Sequence, residues 1–264
     1  MTGQDRIEWY GDDIPRPAAF RPDVRTTVRE ELSMFQVAGA LISHRRRRTV
    51  VDPERIPVLL VPGFLSGDFA LTALSDELRR RGHWTSGSHI APNAGCTLEM
   101  ADAVEARLLH AVARTGHKVA LVGWSRGGTL GKLVAMRRPE LVAGLITLAT
   151  PNLDPLAVNA TLAFQIQVLT LLQSLGVPGV MGTDCIAGDC ARQVRDLLRG
   201  DFPAQVPYLS VYSTSDGVID WRACLDPEAE QIEVGATHMA MGADPTVVSL
   251  VADRLGARAT ALPR

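Results

Sequence analysis

Gly123-Trp-Ser125-Arg-Gly127 sets a serine between two glycines. A short apolar run, Lys118-Val-Ala-Leu-Val-Gly123, comes directly before it, and an amphipathic stretch, Arg126 to Arg138, directly after it. A strand that turns sharply into a helix strains the backbone of the middle residue and lifts its hydroxyl clear of the sheet. The flanking glycines, with Gly128, remove side chains that would collide across so tight a turn. The helix N-terminus beneath the hydroxyl favours the negative charge that develops in acyl transfer. Ser125 is therefore the candidate nucleophile.

Such a serine needs a base, and the base needs an acid to orient it. His44, His83, His89, His110 and His117 precede Ser125, and His238 alone follows it, in Ala236-Thr-His238-Met just past the last strand-like run. Between the two, the run from Tyr208 to Thr214 leads into Ser215-Asp216-Gly217. Asp216 would accept the second imidazole N–H and hold the required tautomer. Asp220 is its rival, and Asp184, Asp189 and Asp201 are weaker candidates; Gly217 favours Asp216 because it permits the tight turn a strand-end carboxylate needs. After the run Ile56 to Val61 comes Pro62-Gly63-Phe64-Leu-Ser-Gly67. There Gly63 lets the backbone turn its amides inward, so the N–H groups of Phe64 and Arg126 would bind a tetrahedral oxyanion.

The elements around these residues alternate. Strand-like runs are expected at 56–61, 84–90, 118–123, 141–148, 208–213 and 231–235. Helical spacing is expected over 68–81, 97–115, 126–138 and 246–255. Strands alternating with helices imply a mostly parallel sheet covered on both faces, an α/β fold. The first 25 residues, with Pro15, Pro17 and Pro22 among charges, read as an irregular lead-in, and Val28, Leu32, Phe35 and Leu41 place one helix over 26–44. The alternation stops at Pro151. Pro155 to Thr183 then carries no charged side chain, and Leu156, Val158, Leu162, Phe164, Ile166, Leu169 and Leu172 predict a helix of about twenty residues, apolar around most of its circumference. Residues 152–203 are expected to be an insertion between sheet strands.

The ordered set Pro62-Gly63-Phe64, Gly123-Trp-Ser125-Arg-Gly127, Asp216 and His238 resembles the α/β-hydrolase superfamily, within it the lipase and esterase-like members. The resemblance covers roughly residues 56 to 255. It departs where many members have His-Gly in the oxyanion loop and this chain has Pro62-Gly63. It implies an α/β-hydrolase core over 56–151 and 204–264, behind a lead-in over 1–55, and a helical cap or lid over 152–203. It also implies a serine hydrolase of carboxylic esters working through an acyl-enzyme, with no metal or organic cofactor. Thioesterase, amidase or acyltransferase activity on the same triad, or a non-catalytic lipid-binding role, are the other readings. The apolar cap, with Phe64, Trp124, Leu65, Phe164 and Met239 as pocket candidates, favours an apolar substrate.

Composition narrows the partners. Over 264 residues, 27 basic side chains nearly cancel 29 acidic ones for a net charge of -2, so no global field draws the chain to nucleic acid or an anionic membrane. Only Lys118 and Lys132 are lysine, and the arginines are scattered apart from Arg45 to Arg48. Met1 to Tyr10 carries Asp5, Arg6 and Glu8 and lacks an apolar leader core, and no apolar run reaches the ~20 residues of a membrane span. A cytoplasmic enzyme with a small-molecule or lipid ester substrate is expected, touching lipid at most through the cap. Cys96, Cys185, Cys190 and Cys224 show no CxxC pair or Cys/His ligand spacing, so structural zinc is not expected. A Cys190–Cys224 bridge would tie the insertion to the loop after Asp216, but without a leader segment the balance is against it.

Overall fold

The computed structural model describes residues 20–23, 25–30, 32 and 50–256. Phe35, Leu41 and the Arg45 to Arg48 cluster lie outside them. Six strands form one sheet: β1 (Val58–Val61), β2 (Thr85–Gly87), β3 (Val119–Trp124), β4 (Val142–Leu148), β5 (Tyr208–Tyr212) and β6 (Glu230–Glu233). Their order is β2-β1-β3-β4-β5-β6, and every pairing is parallel. The six expected strands are all present, and the sheet is wholly parallel.

Parallel strands require crossovers, and helices supply most of them. α1 (Thr72–Arg80) leads from β1 to β2, α2 (Thr97–Thr115) from β2 to β3, and α3 (Arg126–Arg137) from β3 to β4; α7 (Pro245–Arg254) follows β6. Because side chains alternate along a strand, each strand feeds two cores. Leu59 and Val61 of β1 join Leu121 of β3 in the core under α2 and α3, beside Val104, Leu108, Leu130 and Leu133. Val58 and Leu60 join Ala120 and Val122 on the opposite face, against Leu74 and Leu78 of α1 and Val247, Val248 and Val251 of α7. Central β1 and β3 are buried at every position, as a doubly covered parallel sheet demands.

Between β4 and β5 the chain departs from this rhythm, as the loss of charge after Pro151 suggested. The uncharged stretch forms α4 (Ala160–Ser174), shorter than expected, capped where the Asn159 side chain accepts from Leu162 N–H. It ends in a turn with Gly176 at φ 89°. Two helices follow, α5 (Asp184–Ala187) and α6 (Asp189–Arg199), which carry Cys185 and Cys190. Ala163, Ile166 and Leu169 of α4 pack on Val158, Met181 and Ile219 in a third apolar cluster. Phe164, Leu171 and Leu175 stay exposed at 64%, 58% and 73%. No helix among the described residues is long and apolar enough to cross a membrane.

One buried ion pair ties this segment to the sheet. Lys132 Nζ on α3 donates to Asp226 at 2.5 Å and to the carbonyl of Leu198 on α6 at 2.8 Å; Tyr208 Oη also donates to Asp226. Both charged side chains are 2% exposed. Removing one partner strands a charge where water cannot reach it. Asp226→Ala is expected to lower stability by about 3–5 kcal/mol in urea unfolding, and Lys132→Met in the same chain to restore most of that loss.

Candidate active site

All the residues singled out for chemistry sit at or just beyond the carboxyl ends of strands, the edge where parallel α/β sheets hold their ligands. Ser125 follows β3 and holds φ 54° and ψ -130°, a conformation costly for a residue with a side chain. Its surroundings enforce it. A β-carbon on Gly123 would overlap the Gly127–Gly128 peptide, and one on Gly127 would overlap the Val61 carbonyl. Ser125 N–H donates to Leu148 O at 2.8 Å, which locks the turn to β4.

His238 Nε2 lies 3.1 Å from Ser125 Oγ, and its Nδ1 lies 2.8 Å from Asp216 Oδ2. All three side chains are buried. Asp216 Oδ1 accepts from Val218 N–H and Ile219 N–H at 2.8 Å each, fixing the carboxylate's plane. Asp220 faces elsewhere: it caps the 3-10 turn Trp221–Cys224 by accepting from Arg222 N–H. Burial alone would pull His238 below its usual pKa, but the charge and hydrogen bond of Asp216, with the charge of Glu30, outweigh it and hold the imidazole above. With Nδ1–H donating to the carboxylate, Nε2 is left to accept the serine proton.

Phe64 and Arg126 come together with the serine in one cavity. Neither backbone N–H donates to an acceptor among the described residues, whereas Leu65 N–H is taken by Asn93 O at 3.0 Å. Asn93, which carried no sequence signal, also donates from Nδ2 to Pro62 O at 2.9 Å and so shapes this loop. The cavity wall is apolar along Leu156, Val158, Leu162, Ile166, Met181 and Ile219, with Thr97, Thr129, Asp154 and Arg195 as polar points. Burial raises the Asp154 pKa, and its Oδ2 has no hydrogen-bond partner among the described residues.

A family described as alpha/beta hydrolase fold matches residues 80–175. The chain has the α/β-hydrolase fold. Among solved structures it is similar to a mature Bacillus licheniformis lipase, at TM-score 0.61 and 16% identity over 80% of this chain and 96% of that one. A monoacylglycerol lipase of Paleococcus ferrophilus aligns at TM-score 0.55 and 16% identity, covering 80% and 98%. Aspergillus fumigatus lipase B aligns at 0.58 and 15%, covering 82% of this chain and 57% of that one. A search of curated proteins finds no match.

Within this α/β-hydrolase fold the four remaining pocket candidates are not among the side chains lining the cavity. Trp124 packs behind the serine with its ring 5.6 Å from His238 and its Nε1–H on His238 O at 3.1 Å. Leu65 is 42% and Phe164 64% exposed, and Met239 packs on the core under α7. Adjacency in sequence to Ser125, Phe64 or His238 turned these side chains the wrong way, because neighbours on a strand or turn point to opposite faces. Phe164 lies on the outer side of α4, while Leu162 and Ile166 line the cavity from the same helix. The Cys190–Cys224 bridge disfavoured from the sequence is not formed: all four cysteines are free, Cys190 Sγ meets Cys96 Sγ at 3.5 Å, and Cys224 is buried in the apolar cluster around Ile219.

The largest omission is Glu30. Helical residues 25–30 bring its buried carboxylate beneath the site, where Oε1 accepts from Gly217 N–H at 2.9 Å and His238 N–H at 2.7 Å, and Oε2 from Met239 N–H at 3.0 Å. One carboxylate thus binds the acid loop to the histidine loop, so residues 25–30 are part of the site's foundation and not a detached lead-in. The signal was one of two adjacent glutamates, Glu30 and Glu31, after Arg29, indistinguishable from a solvated face. Glu30→Ala leaves three buried donors unpaired and is expected to cost about 3 kcal/mol or more. Hydrogen exchange should then accelerate at Gly217, His238 and Met239 together.

Proposed function

We propose that this chain is a serine hydrolase that cleaves carboxylic esters with an apolar acyl or alcohol part, through Ser125, His238 and Asp216. The observation that carries this reading is the unbroken hydrogen-bonded line Asp216–His238–Ser125, ending beside two unengaged backbone N–H groups in an apolar cavity. The lipases named above, alike in fold, add to it.

In this mechanism His238 Nε2 takes the Ser125 hydroxyl proton as Oγ attacks the acyl carbon. The carbonyl oxygen becomes an oxyanion and accepts from Phe64 N–H and Arg126 N–H, which stabilise the charge as it appears. His238 then gives its proton to the leaving alkoxide, and the acyl group stays on Ser125. Water, deprotonated by the same histidine, attacks the acyl carbon, and His238 returns that proton to Ser125 Oγ as the acyl C–O bond breaks and the acid leaves. Asp216 remains ionised throughout and stabilises the imidazolium.

The domain reading follows from the same proposal. Residues 56–151 and 204–264 supply the catalytic core. Residues 152–203 act as a cap whose inner wall, Leu156, Leu162, Ile166 and Met181, takes the apolar part of the substrate. The outer row of Phe164 and Leu171 on α4, with Leu175 just past its end, would be the surface that touches a lipid aggregate.

An active-site fluorophosphonate should label the wild-type chain and leave Ser125→Ala unlabelled, with ester turnover lower by on the order of 10⁴-fold or more; labelling that survives the substitution refutes the assignment. A series of p-nitrophenyl esters from acetate to palmitate then reads the depth of the cavity. The pH profile has a determined sign. Catalysis needs neutral His238, and Asp216 raises its pKa, so kcat/KM should fall on the acid side through a value above that of a free imidazole. Asp216→Asn should move that limb downward and cut the rate by about 10⁴-fold, as removing the orienting acid does in such triads.

A further inference from the structure

Beside the candidate site, three of the four cysteines converge. Cys96 lies just before α2, Cys185 in α5 and Cys190 at the start of α6, and their sulfurs all lie within 4.8 Å of one another. They face the Arg126 side chain, whose Nη2 donates to Gly95 O at 2.5 Å and to Thr97 Oγ1 at 3.3 Å. Its Nε and Nη1 are shut from solvent and have no hydrogen-bond partner among the described residues. No carboxylate among the described residues pairs with this guanidinium.

We infer that Cys96, Cys185 and Cys190 form a three-thiolate site for a soft divalent cation such as zinc, charge-compensated by Arg126, that clamps the segment between β4 and β5 onto the core. Two observations lead here. The first is spacing. A zinc ion ~2.3 Å from each of three sulfurs holds them roughly 3.8–4.0 Å apart. The Cys96–Cys190 pair stands at 3.5 Å and no pair exceeds 4.8 Å, so small side-chain rotations suffice. The second is charge. With three neutral thiols the pocket holds the unneutralised cation of Arg126, a costly burial. When a divalent ion enters, three S–H bonds break, three protons leave to solvent and three metal–sulfur bonds form. Two positive charges on the metal, three negative on the sulfurs and one positive on Arg126 then sum to zero.

A Cys96–Cys190 disulfide satisfies neither condition. It needs an oxidant to take two electrons, leaves Cys185 out, and leaves the Arg126 charge where it was. A monovalent ion leaves the pocket one charge negative. Sequence spacing hid the site because Cys96 reaches the other two only through the fold, so the expectation of no metal site is replaced by this proposal. Three protein ligands leave one tetrahedral position open. Cys185, Ile186, Ala191 and Val194 line the substrate cavity, so a metal here sets the position of one cavity wall.

The test is a cadmium titration of Ser125→Ala protein, chelator-stripped and kept reduced, so that the outcome is independent of hydrolytic activity. One equivalent should raise the ultraviolet thiolate-to-cadmium charge-transfer band and release about three protons, and cadmium should displace zinc loaded beforehand, raising the same band without that proton release. Cys96→Ser, Cys185→Ser and Cys190→Ser should each abolish the stoichiometric band, while Cys224→Ser keeps it. Arg126→Met should weaken binding by about 10–100-fold, the usual range for a supporting residue outside the ligand set. Should the cysteine variants fail to fold, alkylation of the unsubstituted cysteines decides: zinc should protect half-buried Cys96 and Cys185 and leave Cys224 unchanged. No band at one equivalent, a band undiminished in Cys185→Ser, no zinc protection, or a Cys96–Cys190 disulfide that forms with zinc present would each overturn the proposal.

Discussion

Everything at the site depends on the backbone of Ser125 being held in a conformation it would not adopt alone. A φ of 54° with a ψ of -130° is sparsely populated for a residue with a β-carbon, and a turn by itself would relax away from it. Three contacts prevent that: Ser125 N–H on Leu148 O, Gly128 N–H on Ser125 O, and Thr150 Oγ1 donating to Ser125 O at 2.9 Å. Each partner lies on a neighbouring element that is itself buried. The strain is local, but what sustains it is the packing of the whole sheet.

The same logic extends to the other ends of the line. Asp216 and His238 stand on separate loops after β5 and β6, and a loop is the least rigid place from which to aim a side chain. Rigidity is imported. The Asp216 carboxylate is fixed by Val218 and Ile219 amides, His238 is backed by the Trp124 ring, and Glu30 fastens both loops from below. Arg29 adds hydrogen bonds to Ser215 Oγ and Gly235 O at the same place. On the far side of the cavity Lys132 and Asp226 tie the end of α6 to the sheet, so the walls of the site are anchored to one core.

Burial has opposite consequences for the ionisable groups in this region. His238 overcomes its desolvation because Asp216 lies 2.8 Å away. Arg126 has no such counterion, and burial pulls its pKa down to about 10. Cys190, buried among the other sulfurs, has its thiol pushed up to about 12. The backbone N–H of Arg126 meets no acceptor among the described residues, while its side chain is held by Gly95 and Thr97, on either side of Cys96.

Local pattern was enough for the strands, the helices that cross between them, and the glycine-flanked serine, since alternation, amphipathic spacing and turn chemistry act over a few residues. The order of serine, acid and histidine narrowed the candidates to Asp216 or Asp220 and to His238. Which face each side chain takes was a different matter. Leu162 and Ile166 line the cavity and Phe164 does not, because the rotation of α4 is set by what Ala163 and Leu169 pack against. Glu30 and the three-cysteine cluster were invisible for the same reason: their partners are remote in sequence, and a hydrogen bond or a metal ligand set is a statement about distance. The sequence by itself determined which residues could form a strained nucleophile turn and a parallel sheet; only the tertiary structure decided what surrounds that turn, because burial and long-range contact arise when distant segments share one core.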